Sequence, residues 1–204
     1  MCKLPDGVAN SDVNDLKERT EQYIDLALQY AYRSWHTHLV SRHTTSVDTL
    51  EITCSLHRFL EGMFLFWLEV LSVLVAAMNA VDALQVDADW LEVCRDSVVV
   101  TCLIFSNLIQ ESPTLDLAND CFRFATHHFG IISTSPPHIY YSALILTPRD
   151  SIIQTLYESH AKPFAKLVCG VQALWDSHTT AAAFPFVIDE VVWSPCDRFM
   201  TIGF

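Results

Sequence analysis

The chain has 204 residues, of which 12 are basic and 24 acidic, for a formal net charge of −12. With 51% hydrophobic residues and a mean hydropathy of +0.26, it is too apolar for a disordered polymer and should bury a substantial core. Its negative charge opposes phosphate backbones and anionic lipid, so neither nucleic acid nor a membrane surface is an expected partner.

Seven cysteines, Cys2, Cys54, Cys94, Cys102, Cys121, Cys169 and Cys196, form no Cys-x-x-Cys pair and read as free thiols of a reducing compartment. The first ten residues read as a disordered arm. They lack the charged-then-apolar run of a signal peptide, so a cytoplasmic location is expected. Asp15 and Glu18 have capping-box spacing, and Ile24, Ala27, Leu28, Ala31, Trp35 and Leu39 then form the stripe of a first amphipathic helix. The polar run of residues 41–46 ends it. A second helix from about Val47 carries Leu56, Phe59 and Leu60 into residues 62–81, a stretch from Gly62 to Val81 whose one charge is Glu69.

Two readings of that stretch compete. Its length meets the criterion for a membrane span. Against this, Glu69 and Asn79 lie within it, Glu61 and Asp82 flank it, and Leu60, Met63, Trp67, Leu71, Leu74, Met78 and Val81 recur at helical spacing, which describes a buried core helix. The core helix is the preferred reading. A further helix is expected near Asn79 and Asp82, with Val81, Leu84, Ala88 and Leu91 on its inner face. Residues 97–109 have strand-like β-branched propensity but the length of a buried helix, and read as helix. Ser112 as N-cap, Pro113 at the first helical position, the stripe Leu117, Cys121, Phe124 and His128, and Gly130 as a stop outline the next helix.

After Gly130 the texture changes, with Pro136, Pro137, Pro148, Pro163, Pro185 and Pro195 in the last third. Residues 139–146 read as a strand between prolines, and 151–157 as a short helix or a second strand. From Val187 onward the pattern is β. The last fourteen residues, from Val191 through the Trp193-Ser194-Pro195 turn to Phe204, read as the opening hairpin of a propeller blade. The expected fold is therefore mainly α: a disordered arm over 1–10, a multi-helix connector over 11–135, and over 136–204 a short β segment ending in an incomplete blade.

Four collinear blocks carry a resemblance. They are Leu16-Lys17-Glu18-Arg19 with Tyr30-Ala31-Tyr32-Arg33-Ser34-Trp35-His36-Thr37-His38-Leu39; Phe59-Leu60-Glu61 through Trp67-Leu68-Glu69-Val70-Leu71-Ser72; Pro137-His138-Ile139-Tyr140-Tyr141-Ser142-Ala143-Leu144 with Pro148 and Ser151-Ile152-Ile153; and Trp175 with the Trp193-Ser194-Pro195 turn. In this order they resemble the fungal NACHT and WD-repeat proteins, signal-transducing NTPases. The resemblance implies that this chain matches the helical connector between NTPase and propeller together with the start of the first blade. It departs from the family at Cys196-Asp197, where the pattern has Asp-Gly, and in lacking a Gly-His pair around residues 184–187. The expectation is a fragment of such a receptor-like protein, a non-enzymatic scaffold with protein partners.

The chemistry of the residues agrees with a scaffold. NTP hydrolysis needs a Gly-x-x-x-x-Gly-Lys-Ser/Thr loop, and Gly7, Gly62, Gly130, Gly170 and Gly203 are too dispersed to build one. His36 with His38, and His127 with His128, lack the i,i+4 spacing that places two metal ligands on one helix face. Cys169 has no nucleophile-elbow or protease context. Phe64, Phe66 and Trp67 read as core, and Glu61 and Glu69 as solvated or capping groups. No catalytic, cofactor-binding or metal residue and no cofactor is assigned. The alternatives are a membrane-associated helical protein spanning residues 62–81 and, more remotely, a small thiol-dependent enzyme. The hairpin, with Val191, Val192, Trp193, Phe199, Met200, Ile202 and Phe204, is expected to self-associate or to add a strand to a partner.

Overall fold

An apolar run as long as residues 62–81 must either continue as one helix or turn where its backbone groups find other partners, and here it turns twice. A computed structural model of the chain describes residues 8–40, 46–102, 113–161, 172–175, 190–193 and 200–203. Among these, the helices are α1 (Leu16–Tyr23), α2 (Leu26–Val40), α3 (Ser46–Gly62), α4 (Phe64–Val73), α5 (Met78–Cys102), α6 (Pro113–His127) and α7 (Phe129–Thr134). A π-helical turn (Ile139–Ala143) then runs into α8 (Leu144–Leu146), and α9 (Ile152–Tyr157) follows. The chain is mostly helical, as its periodicity indicates.

The first turn lies at Met63. Tyr157, buried on α9, donates from its hydroxyl to the Leu60 carbonyl at 2.8 Å and accepts from the Phe64 amide at 3.3 Å, so one side chain bridges the end of α3 and the start of α4. The second turn closes α4. The Val75 amide donates to the Ser72 carbonyl and the Ala76 amide to the Leu71 carbonyl, the paired bonds of a Schellman ending. Its left-handed residue is Val75, at φ 52°, a conformation that favours glycine. Arg33 Nη2 covers the Leu74 carbonyl at 3.2 Å.

The single core helix expected over 62–81 is thus corrected to the end of α3, the ten residues of α4 and the start of α5. A membrane span over 62–81 is therefore not favoured. At about 1.5 Å per residue α4 is roughly half the length of a bilayer's hydrocarbon core, and no helix among the described residues is long and apolar enough to cross a membrane. α4 is instead the centre of the core. Phe64, Leu65, Trp67, Leu68 and Leu71 are buried, and Trp67 meets Trp35 of α2 and Phe59 of α3 with ring centroids 5.8 and 5.7 Å apart. Edge-on aromatic packing of this kind adds to area burial. The Trp67 indole also donates to the Tyr32 carbonyl at 2.9 Å.

Other expectations need correction. Asp15 makes no side-chain cap; its carboxylate takes Arg19 at 2.7 Å, so the capping box is not formed. The stripe through Ala27, Leu28 and Ala31 faces outward, while Gln29 is buried, because the chain breaks between Tyr23 and Leu26 and α2 begins in a new register. Gly130 stands inside α7 rather than ending a helix; α6 stops at His127. Residues 139–146 are helical, not a strand: Ile139, Tyr140, Ala143 and Leu144 are all buried, a four-residue recurrence that alternation cannot supply. Between the two readings of residues 151–157, the helix holds, with Ser151 accepting from the Gln154 amide as N-cap.

Residue 10, in the arm expected to be disordered, is buried: Asn10 Nδ2 donates to the Ser72 carbonyl at 2.9 Å and, more weakly, to Ser133 of α7. The helical core runs past residue 135 through Ile139, Leu144, Ile153 and Tyr157. Of the predicted helix at 97–109, residues through Cys102 lie in α5 and the rest lie outside the described residues, as do Ser112, Cys169 and the turn at 194–199. Glu190–Trp193 (β1) pairs antiparallel with Met200–Gly203 (β2), Val191 opposite Ile202.

Val75 is 76% exposed and buries almost nothing in return for its left-handed backbone. Val75→Gly is therefore expected to stabilise the chain by about 1 kcal/mol, read as a higher urea midpoint with unchanged slope. An unchanged or lower midpoint would mean that the valine side chain contributes packing.

Candidate functional site

The amphipathic α6 turns Leu115, Leu117, Ala118, Cys121, Phe124 and Ala125 into the core. The same inward face carries one carboxylate, Asp120, 7% exposed. It accepts three hydrogen bonds. Ser151 Oγ reaches Oδ2 at 2.6 Å, the Ile153 amide reaches Oδ2 at 2.9 Å, and Trp175 Nε1 reaches Oδ1 at 2.5 Å. Two of these donors belong to the N-terminus of α9, where unpaired amides and the positive end of the helix favour an anion.

Trp175 makes the junction more than a cap. Its ring lies 5.5 Å from that of His127 and 6.0 Å from that of His128. The segment leading to it is also held by backbone, with Arg149 N donating to the Gln172 carbonyl at 3.1 Å and Asp150 N to the Ala173 carbonyl at 2.9 Å. Beside the junction lies a cleft of about 410 Å³ lined by Asp116, Asn119, Arg123, Asp150, Leu174 and Trp175 among others. Its two oxygens accept from three residues, so Asp120 anchors Ser151, Ile153 and Trp175 to α6. The arrangement ties residues 172–175 to the helical body.

Two further buried groups titrate unusually. His128, 2% exposed, has its pKa lowered to about 4 by burial and by neighbouring His127; the neutral ring lies 3.4 Å from Thr147 Oγ1. Asp87 on α5 is fully buried, neither carboxylate oxygen has a hydrogen-bond partner among the described residues, and burial raises its pKa to about 8. Both cases follow from desolvation disfavouring the charged form.

The residues weighed as chemical candidates are dispersed. The rings of His127 and His128 stand at 89° to one another and do not converge, and among the described residues no group of three or more His, Cys, Asp or Glu could hold a metal. His38 Nε2 meets the Tyr30 hydroxyl at 2.9 Å. Cys121 is buried, and desolvation together with Asp120 and Asp87 holds its thiol far above the usual range, which leaves it unreactive. Glu61 is exposed, whereas Glu69 is buried, not solvated, and interacts with Tyr140. Phe64 and Trp67 are core; Phe66, expected with them, is 43% exposed. The Asp120 junction is what sequence reasoning missed. Its partners lie 31 and 55 residues away, and no local spacing announces them.

No protein-family model matches the chain, and no solved structure matches it. Over 156 residues it is 27% identical to the vegetative incompatibility protein HET-E-1 of Podospora anserina, a match covering 74% of this chain and 10% of that protein. That relative is a fungal NACHT and WD-repeat protein, in keeping with the resemblance read from the sequence. The chain thus spans about a tenth of the relative's length.

The two buried titratable groups predict opposite pH slopes. The lowered pKa of His128 contributes stability that is complete above its unfolded value near 6.5 and is lost as pH falls toward 4. The raised pKa of Asp87 contributes stability that is complete below its unfolded value near 3.8 and is lost as pH rises toward 8. Between pH 4 and 6.5 these contributions cancel; from 6.5 to 8 stability falls by about 1.4 kcal/mol per unit. Urea denaturation of Asp87→Asn should show a flat profile from pH 6.5 to 8, and His128→Gln a continuous fall from 4 to 8. A parent profile that rises from 6.5 to 8 would contradict the assignment of Asp87.

Proposed function

We propose that this chain is a non-enzymatic connector of a NACHT and WD-repeat type signalling protein, acting in the cytoplasm through protein–protein contacts. The observation that carries the reading is the Asp120 junction, which fixes the chain at residues 172–175 against α6 and α9. A segment pinned in this way has a defined direction on leaving the helical body, as a connector between two larger units requires. The similarity to HET-E-1 supports the same reading. In this proposal the helical unit includes α9 and the Trp175 anchor, so the division between connector and propeller falls after residue 175. No residue is assigned to catalysis, to a cofactor or to a metal.

The C-terminal strands β1 and β2 are read as the first part of a blade. They form a two-stranded sheet among the described residues, and an isolated hairpin leaves edges that pair readily with another strand. Removal of residues 187–204 should give a helical, monomeric protein from a parent that self-associates, measured by light scattering and circular dichroism. If the truncated chain instead aggregates or loses helix, the β segment belongs to the helical core, and the connector reading with its blade is wrong.

A further inference from the structure

α2 presents an apolar face that no other described residue covers. Leu26 is 74% and Tyr30 58% exposed. The turn between α4 and α5 adds Val75 at 76% and Met78 at 53%. The two sets are joined through Arg33, one turn beyond Tyr30, which donates to the carbonyl of Leu74, the residue before Val75; Asn79, next to Met78, donates back to the Arg33 carbonyl at 3.4 Å. Apolar side chains grouped in this way on a protein surface mark a contact site.

Val75 supports that conclusion independently. Its left-handed backbone costs stability that a glycine would spare, and its side chain, out in solvent, contributes little packing to offset it. Local strain of this kind clusters at binding and switch sites, and an exposed valine that holds it marks this turn as a place to look for a contact.

The charges around the face select the occupant. Asp25 precedes Leu26, and Asp82 stands one turn beyond Met78; both are exposed and neither has an ion pair among the described residues. Among the described residues Arg33, between the two sets, is engaged by the Leu74 carbonyl, and His36, which feels Asp82, has its pKa lowered by burial, which favours its neutral form. A second copy would bring acid against acid on a chain of net charge −12. Four apolar side chains also fall short of the 20–30 residues, roughly 800 Å² per partner, that a stable dimer uses. They match one helix laying anchors at three- and four-residue spacing into a shallow surface.

We propose that Leu26, Tyr30, Val75 and Met78 dock a basic amphipathic helix of a protein partner, with Asp25 and Asp82 meeting its cations. The face lies on other elements than the Trp175 junction and the β hairpin, so this proposal stands or falls apart from the connector reading. The test uses the full chain and a synthetic Leu/Lys amphipathic peptide of roughly five helical turns, with a Leu/Glu peptide of the same pattern as control. Calorimetry should give saturable binding of the Leu/Lys peptide, and amide shifts in NMR spectra should centre on residues 26, 30, 75 and 78. Leu26→Ser combined with Tyr30→Ser should weaken binding about tenfold or more. Asp25→Asn with Asp82→Asn should weaken it and reduce its salt dependence while leaving the apolar face intact. The proposal is overturned by any of four results: no saturable binding, equal binding of the Leu/Glu peptide, unchanged affinity in the Ser variant, or a self-association that the Ser variant abolishes.

Discussion

Burying a carboxylate inside a helical body is costly unless donors meet it, and Asp120 is met by three. Those donors come from Ser151 and Ile153 at the start of α9 and from Trp175 beyond it, so one side chain on α6 holds both α9 and residues 172–175. Hydrogen bonds to a charged group are among the stronger ones, at about 1.5–3 kcal/mol each. Around this anchor the other contacts fall into place. α9, once seated, directs Tyr157 back across the core to the break between α3 and α4.

That second contact explains how a run of apolar residues long enough to span a membrane becomes the middle of a small helical body. The Tyr157 hydroxyl serves both backbone groups at the Met63 break, and the Schellman ending at Val75 closes α4 after ten residues. α4 is apolar nearly all round because neighbours cover it from several sides: Trp35 and Phe59 through Trp67, Phe124 through Phe64, and Ile132 of α7 through Ser72. A helix buried on most faces needs no hydrophobic stripe of its own. Its position is set by the aromatic contacts and the hydrogen bonds at its two ends.

What could be read from the sequence follows from this physics. The inward face of α6, with Leu117, Cys121 and Phe124, was legible because polar residues on its outer side leave a clear period. Leu84, Ala88 and Leu91 on α5 were legible for the same reason. α4 was not, since a segment apolar on every face gives no sign of where it bends, and the residues that bend it include Tyr157, more than ninety positions away. The prolines at 136, 137 and 148 suggested strands, yet they mark turns between short helical pieces whose burial recurs every four residues. Nothing in the local sequence marks Asp87; the packing of α5 against α6, which brings it close to Cys121, makes it a buried carboxyl with no hydrogen-bond partner among the described residues.

The central claim is that Asp120 couples α9 and the Trp175 segment to the helical body. Native-state hydrogen exchange followed by NMR tests it directly, at the Ile153 amide and the Trp175 indole. In the parent chain both should exchange as slowly as the amides of α6. In Asp120→Asn both should speed up by about tenfold to a hundredfold, matching about 1–3 kcal/mol of lost hydrogen bonding, with the amides of α4 much less affected. Fast exchange of these two protons in the parent, or unchanged exchange in the variant, would contradict the account.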